Sequence, residues 1–148
     1  MNYPDCKDAN SFDSGMEFQD FVCCELAKQG IVLQNLASKK MQFEVGENLQ
    51  GFEIKLDRRC TDTGRLSIEV AEKSHAGMPN YTPSGIYRKD NTWLYIQGNY
   101  KRLYIFGVGF LRRLYESGKM GENTQPTIKA FFLPLDKADI YCLKRMDF

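Results

Sequence analysis

Between Gly51 and Asp57 the chain reads Gly-Phe-Glu-Ile-Lys-Leu-Asp, and this alternation constrains the fold more than any other stretch. On a β-strand, residues two apart point to the same side. Phe52, Ile54 and Leu56 therefore share one face, and Glu53 and Lys55 stand side by side on the other. A strand so apolar at alternate positions is expected to be central in its sheet. There, charged groups are costly to bury unless they are paired or bound to a metal.

The surrounding sequence supplies the partners that such a strand needs. Residues 1–13 are polar and aperiodic and read as a loose leader. Ser14-Gly15-Met16-Glu17 has capping-box spacing, and Phe18, Phe21, Val22 and Leu26 then recur at helical intervals until Gly30. Ile31 to Leu36 reads as an extended segment or short strand, and Met41 to Val45 as a strand. Arg58 to Gly64 forms a polar turn before a strand from Arg65 to Ala71. A long Gly- and Pro-containing loop follows, from Ser74 to Asn91, with a helical turn near Ser84-Gly85-Ile86. Trp93 to Gln97 and Leu103 to Val108 make a hairpin through Gly98-Asn99. A short helix runs from Phe110 to Gly118. A last strand, Thr127 to Leu133, precedes a turn at Pro134 and a helix around Asp136 to Cys142.

With 148 residues, the chain is one domain long, so any site is built into one scaffold. No stretch approaches the roughly 20 apolar residues that cross a bilayer, and no basic region followed by an apolar run marks a secretory signal. The expected setting is cytoplasmic. Five cysteines without a framework suit reduced thiols, and a single histidine, His75, argues against a Cys/His zinc site. Charge is unevenly spread. Residues 1–84 carry four more acidic than basic side chains, and residues 85–120 carry five more basic than acidic ones. An acidic metal site beside a phosphate-tracking surface would need that division.

Glu53 and Lys55 suit phosphodiester hydrolysis, which requires charge neutralisation on the phosphate and a water made nucleophilic at neutral pH. Mg²⁺ meets both needs when held by one or two carboxylates. Glu47 comes within reach of the same ion if the chain bends at Gly46 and Gly51, with Glu44 as its rival. Lys55 would orient or deprotonate the water, or stabilise the developing phosphorane charge.

At these residues the sequence resembles the PD-(D/E)xK nucleases. In that resemblance Glu47 stands for the first acid, Glu53 for the second and Lys55 for the lysine, with no proline before Glu47. Glu17 takes the place of the glutamate often found on the preceding helix. Thr63 to Glu69 is similar to the turn and strand after the catalytic strand in small phage and mobile-element nucleases, which puts Glu69 beside the metal or among the groups that surround its ligands. The resemblance covers residues 14–72. It implies an α/β (α+β) restriction-endonuclease-like domain over residues 14–148, with one central mixed sheet flanked by helices. It also implies Mg²⁺ as cofactor, Mn²⁺ as its substitute, and hydrolysis of DNA, although the sequence does not itself distinguish DNA from RNA.

Arg88, Lys89, Lys101, Arg102, Arg112 and Arg113 interleave with Tyr87, Trp93, Tyr95 and Tyr100, a mixture that can hold a nucleic-acid backbone while stacking bases. A homodimer would enlarge the small recognition surface. Two other readings compete: a catalytically inactive DNA-binding or complex-forming subunit on the same scaffold, and a partner-binding module in which Glu53 and Lys55 form a structural ion pair.

Overall fold

The computed structural model describes residues 11–148, with side chains from Gly15 onward. Helix α1 spans Ser11–Ala27. Residues 1–10 of the expected leader lie outside the described residues, whereas 11–13 already belong to α1, so Ser14 sits inside the helix and does not cap it. The expected C-terminal stop holds. Gly30 adopts φ 82°, and the Ile31 N–H turns back to the Leu26 carbonyl at 3.0 Å.

The expected strand at Met41 to Val45 is instead helix α2, Lys39–Glu44. Ser38 decides this locally, because its side chain accepts the Met41 N–H at 3.1 Å and so caps the first turn. Ile31 to Leu36 contributes only an isolated bridge, Asn35 to Asn48. Strand β1 covers Phe52–Leu56. The polar turn after it contains one turn of helix, α3 at Cys60–Thr63, before β2 at Arg65–Glu72. The 74–91 loop holds a two-residue strand, β3 at Thr82–Pro83, and a 3-10 turn at Gly85–Tyr87. Then come β4 at Leu94–Gly98, β5 at Arg102–Gly107 and α4 at Val108–Glu116. Strand β6 at Glu122–Thr124, β7 at Ile128–Pro134, α5 at Leu135–Tyr141 and β8 at Lys144–Asp147 complete the chain.

The architecture is α+β, with two four-stranded sheets where one was expected. The first runs β1-β4-β5-β8, with β1 parallel to β4 and the remaining pairs antiparallel. The second, β3-β2-β7-β6, is antiparallel throughout. Strand β2 thus leaves its sequence neighbour β1 for the other sheet. Its buried residues Leu66 and Ile68 lie opposite Leu133 and Phe131 of β7, and cross-strand apolar pairing of this kind fixes register.

The first sheet is covered on both faces. Phe52, Ile54, Leu94, Ile96, Leu103 and Ile105 pack with Phe18, Phe21, Val22 and Leu26 of α1. On its opposite face Tyr95, Tyr104 and Phe106 join Leu66, Ile68, Val70, Phe131 and Leu133 of the second sheet. Strand β1 is nevertheless an edge strand and not a central one. The charged face of β1 therefore looks towards the second sheet at an open margin. Among the described residues no helix is long and apolar enough to cross a membrane.

Candidate active site

Glu53 and Lys55 emerge on the same side of β1, and Lys55 Nζ lies 3.0 Å from Glu53 Oε1. Glu53 is only 1% exposed, while the Lys55 side chain is 36% exposed. Lys55 is the one group that answers the Glu53 charge, and Glu53 Oε2 has no hydrogen-bond partner among the described residues. Burial pushes the Glu53 carboxyl up to about 7, with Lys55 opposing the shift and Glu47 adding to it. For Lys55, burial works against the ammonium, but Glu53, Glu69 and Glu47 outweigh it and hold its pKa above the usual lysine value.

Glu47 reaches this pair from the loop after α2. Gly46 and Gly51, where bends were expected, have φ 145° and 75°. Both press against Asn91: a Cβ on Gly46 would fall 1.8 Å from Asn91 Oδ1, and one on Gly51 would fall 2.4 Å from the Asn91 carbonyl oxygen. Asn48, wholly buried, donates to the Phe52 carbonyl at 2.6 Å and accepts the Phe52 N–H at 2.8 Å. Glu47 Oε2 accepts the Ile54 N–H at 3.2 Å. Side chains thus occupy backbone groups along the outer edge of β1 that another strand would otherwise seek. Burial raises the Glu47 carboxyl pKa, while Lys55 and Arg88 pull against the shift. Glu44 stands exposed on α2, 4.0 Å from Lys40.

A cavity of about 960 Å³ opens between α1, β1 and the second sheet, and Glu53 itself does not line it. Glu47, Lys55, Asp57 and Glu69 line it, together with Lys39, Arg58 and Arg59. Glu69 accepts a hydrogen bond from Ser84 Oγ at 2.8 Å. A register shift between Glu69 and Ala71 marks a bulge, a feature often found beside active sites. Asp57 Oδ2 accepts the Ser67 N–H at 2.9 Å and Gln97 Nε2 at 3.0 Å, and so fastens β1 to both sheets.

Glu17 is half-buried and does not line the cavity, although Gly15, Met16 and Gln19 of the same helix do. None of the six basic residues chosen for nucleic-acid contact lines it either. Arg88 comes nearest: it pairs with Asp90 at 3.1 Å, donates to the Gln42 carbonyl, and its charge acts on Glu47. Arg102 pairs with Asp147 at 2.8 Å, and Arg112 donates to the Ile86 carbonyl at 2.7 Å. Lys89, Lys101 and Arg113 are exposed elsewhere. Besides Lys55, the cavity's cations come from Lys39 of α2 and from Arg58 and Arg59. The polar turn that holds the two arginines follows the charged strand directly, and that adjacency was the available signal. Nothing in the sequence marks Asn48 or Asn91, and Tyr95, expected among the base-stacking aromatics, is instead fully buried.

Among the described residues no group of three His, Cys, Asp or Glu side chains could hold a metal ion between them. A cation here would rest on Glu47 and Glu53, with water completing its shell, the manner in which Mg²⁺ is commonly bound. A buried and a half-buried carboxylate, the first with one oxygen unpartnered among the described residues, fit that requirement. Burial raises the Cys23 thiol and pushes Cys60 up to about 12, which disfavours either as a thiolate nucleophile.

No family model matches the sequence, and neither a curated protein nor a solved structure matches it significantly.

Proposed function

We propose that this chain is a divalent-cation-dependent nuclease, a restriction-endonuclease-like variant in which Glu47 and Glu53 hold Mg²⁺ or Mn²⁺ and Lys55 contacts the scissile phosphate of DNA. The observation that carries the reading is Glu53: a carboxylate 1% exposed, answered only by Lys55 at 3.0 Å, with its second oxygen unpartnered among the described residues. A buried carboxylate is costly unless it is paired or serves a bound cation or a reaction, and Lys55 offsets that cost only in part, since the Glu53 carboxyl still sits up at about 7.

The bound cation supplies charge neutralisation and a water of lowered pKa. The chain's own groups divide the remaining work. Lys55, kept as an ammonium by three carboxylates, donates to a phosphoryl oxygen and stabilises the charge that grows there. Its raised pKa favours this role over that of a base. Glu69, fixed by Ser84, helps to keep Lys55 charged. Lys39, Arg58 and Arg59 border the cavity, where they can hold flanking phosphates without reading sequence.

The test is cleavage of end-labelled single-stranded and duplex DNA by the intact chain, with Mg²⁺ and with EDTA. Cleavage that needs the metal and disappears in both Glu53→Ala and Lys55→Ala is expected, with the fold retained. Wild-type-like cleavage by either variant would end the reading. DNA binding with a salt-dependent affinity but no coupled metal binding would instead favour an inactive subunit.

A further inference from the structure

Strand β4 brings two more buried polar side chains to the charged face of β1. Tyr95 lies opposite Glu53 in the parallel register, and Gln97 lies opposite Lys55. The Gln97 amide nitrogen is committed, since Nε2 donates to Asp57 Oδ2 at 3.0 Å and to the Ser67 carbonyl at 2.8 Å, while its Oε1 has no partner among the described residues. Tyr95 has no such anchor. It is fully buried and borders the cavity, yet its hydroxyl has no hydrogen-bond partner among the described residues.

A buried hydroxyl without a partner is unfavourable, and phenylalanine would fill the same space without that cost. Tyr104 on β5 shows the ordinary arrangement: it too is buried, but its hydroxyl donates to Asp139 Oδ1 at 3.0 Å. The Tyr95 phenol also lies within electrostatic reach of Glu53, Glu69, Glu47 and Asp57. Burial above all, and those acidic groups after it, keep it protonated, so it offers both an O–H and a neutral acceptor oxygen. A neutral phenol serves a hydrated cation through the cation's water shell more readily than by direct ligation.

We propose that Tyr95 is a positioning residue for the divalent cation at Glu47 and Glu53, its hydroxyl hydrogen-bonding a water of the cation's hydration shell. This rests on the cation reading of those two glutamates. Partners of this kind commonly change metal affinity 10- to 100-fold when removed. The role places a β4 residue in the site, although β4 is separated from the Glu-x-Lys strand by nearly forty residues of sequence.

The experiment is a Mn²⁺ titration of the intact chain as wild type, Tyr95→Phe, Tyr104→Phe and Glu53→Gln, with free Mn²⁺ read by electron paramagnetic resonance. Denaturant midpoints are measured without metal. Tyr95→Phe is expected to bind Mn²⁺ about 10-fold more weakly while its metal-free midpoint stays level or rises. Tyr104→Phe should do the opposite, losing stability and keeping Mn²⁺ affinity. In the wild type, the ¹³Cζ resonance of Tyr95 should shift on saturation with Mg²⁺. Undiminished Mn²⁺ binding in Tyr95→Phe, with binding lost in Glu53→Gln, overturns the Tyr95 role and leaves the cation site standing. A ¹³Cζ resonance unmoved by Mg²⁺ overturns it equally. No Mn²⁺ binding by the wild type at millimolar concentration removes the cation site and this inference together.

Discussion

Glu47 Oε2 accepts the backbone N–H of Ile54 at 3.2 Å, and Ile54 is the residue between Glu53 and Lys55. One hydrogen bond therefore ties a loop carboxylate to the strand that carries the other two charges. Glu47→Gln keeps an acceptor for Ile54, whereas Glu47→Ala does not. In urea denaturation the alanine variant should lose about 1 kcal/mol relative to the glutamine variant. Both should lose cation affinity. Equal stability of the two variants would show that the hydrogen bond contributes nothing to the fold.

Glu53 makes stability depend on pH in an unusual direction. Its folded-state pKa is raised from 4.5 to about 7, so between those values the folded chain holds a proton that the unfolded chain has released. Stability from this group is therefore fully present below about pH 4.5, falls as pH rises towards 7, and levels off above. Glu53→Gln removes the titration. It should match the wild type near pH 4.5 and exceed it at pH 8 by on the order of 3 kcal/mol in metal-free buffer. A stability difference that does not vary between pH 4.5 and 8 would contradict the assigned shift.

Asn48 is a structural hinge for the site. It makes two hydrogen bonds to the backbone of Phe52 while wholly buried, so Asn48→Ala leaves two buried backbone groups unpaired. A loss of roughly 2–4 kcal/mol is expected in the denaturant midpoint. Any surviving cleavage should weaken as well, because Glu47 is the adjacent residue. A loss below about 0.5 kcal/mol would place these bonds outside the folded state's stability.

Gly51 cannot be replaced by a larger residue without movement. Its φ of 75° and the 2.4 Å approach of a Cβ to the Asn91 carbonyl oxygen both oppose Gly51→Ala. The left-handed conformation alone costs about 1–2 kcal/mol, and the clash adds to that. Thermal unfolding of Gly51→Ala at the wild-type temperature would show that the loop yields freely.

The basic residues that border the cavity should dominate nucleic-acid affinity. Arg59→Ala is expected to weaken binding across all sequences and to reduce the salt dependence by about one counterion. Arg113→Ala, on the exposed side of α4, should change neither. Filter binding of single-stranded and duplex DNA over a salt series measures both, and the reverse pattern would move the binding surface to α4.

Local patterns in the sequence determined much of this protein. The two-residue period of Phe52 to Leu56 fixed Glu53 and Lys55 on one side of a strand, because a pleated backbone leaves no alternative. The Trp93 to Val108 hairpin, the helix after it and the strand near Phe131 were legible for similar reasons, since each repeats an apolar residue at its element's own period. Ser38 outweighed the apparent strand after it, because a capped first turn is also a local signal. Tertiary structure alone decided that β2 joins β7 and leaves β1 at an edge, since strand partnership depends on which distant apolar faces match. The same long-range pairing set Tyr95 across from Glu53 and turned the Glu-x-Lys face towards a cavity bordered by Arg58 and Arg59. A sequence specifies the side on which a charge emerges, but its pKa is set by what the rest of the chain folds over it.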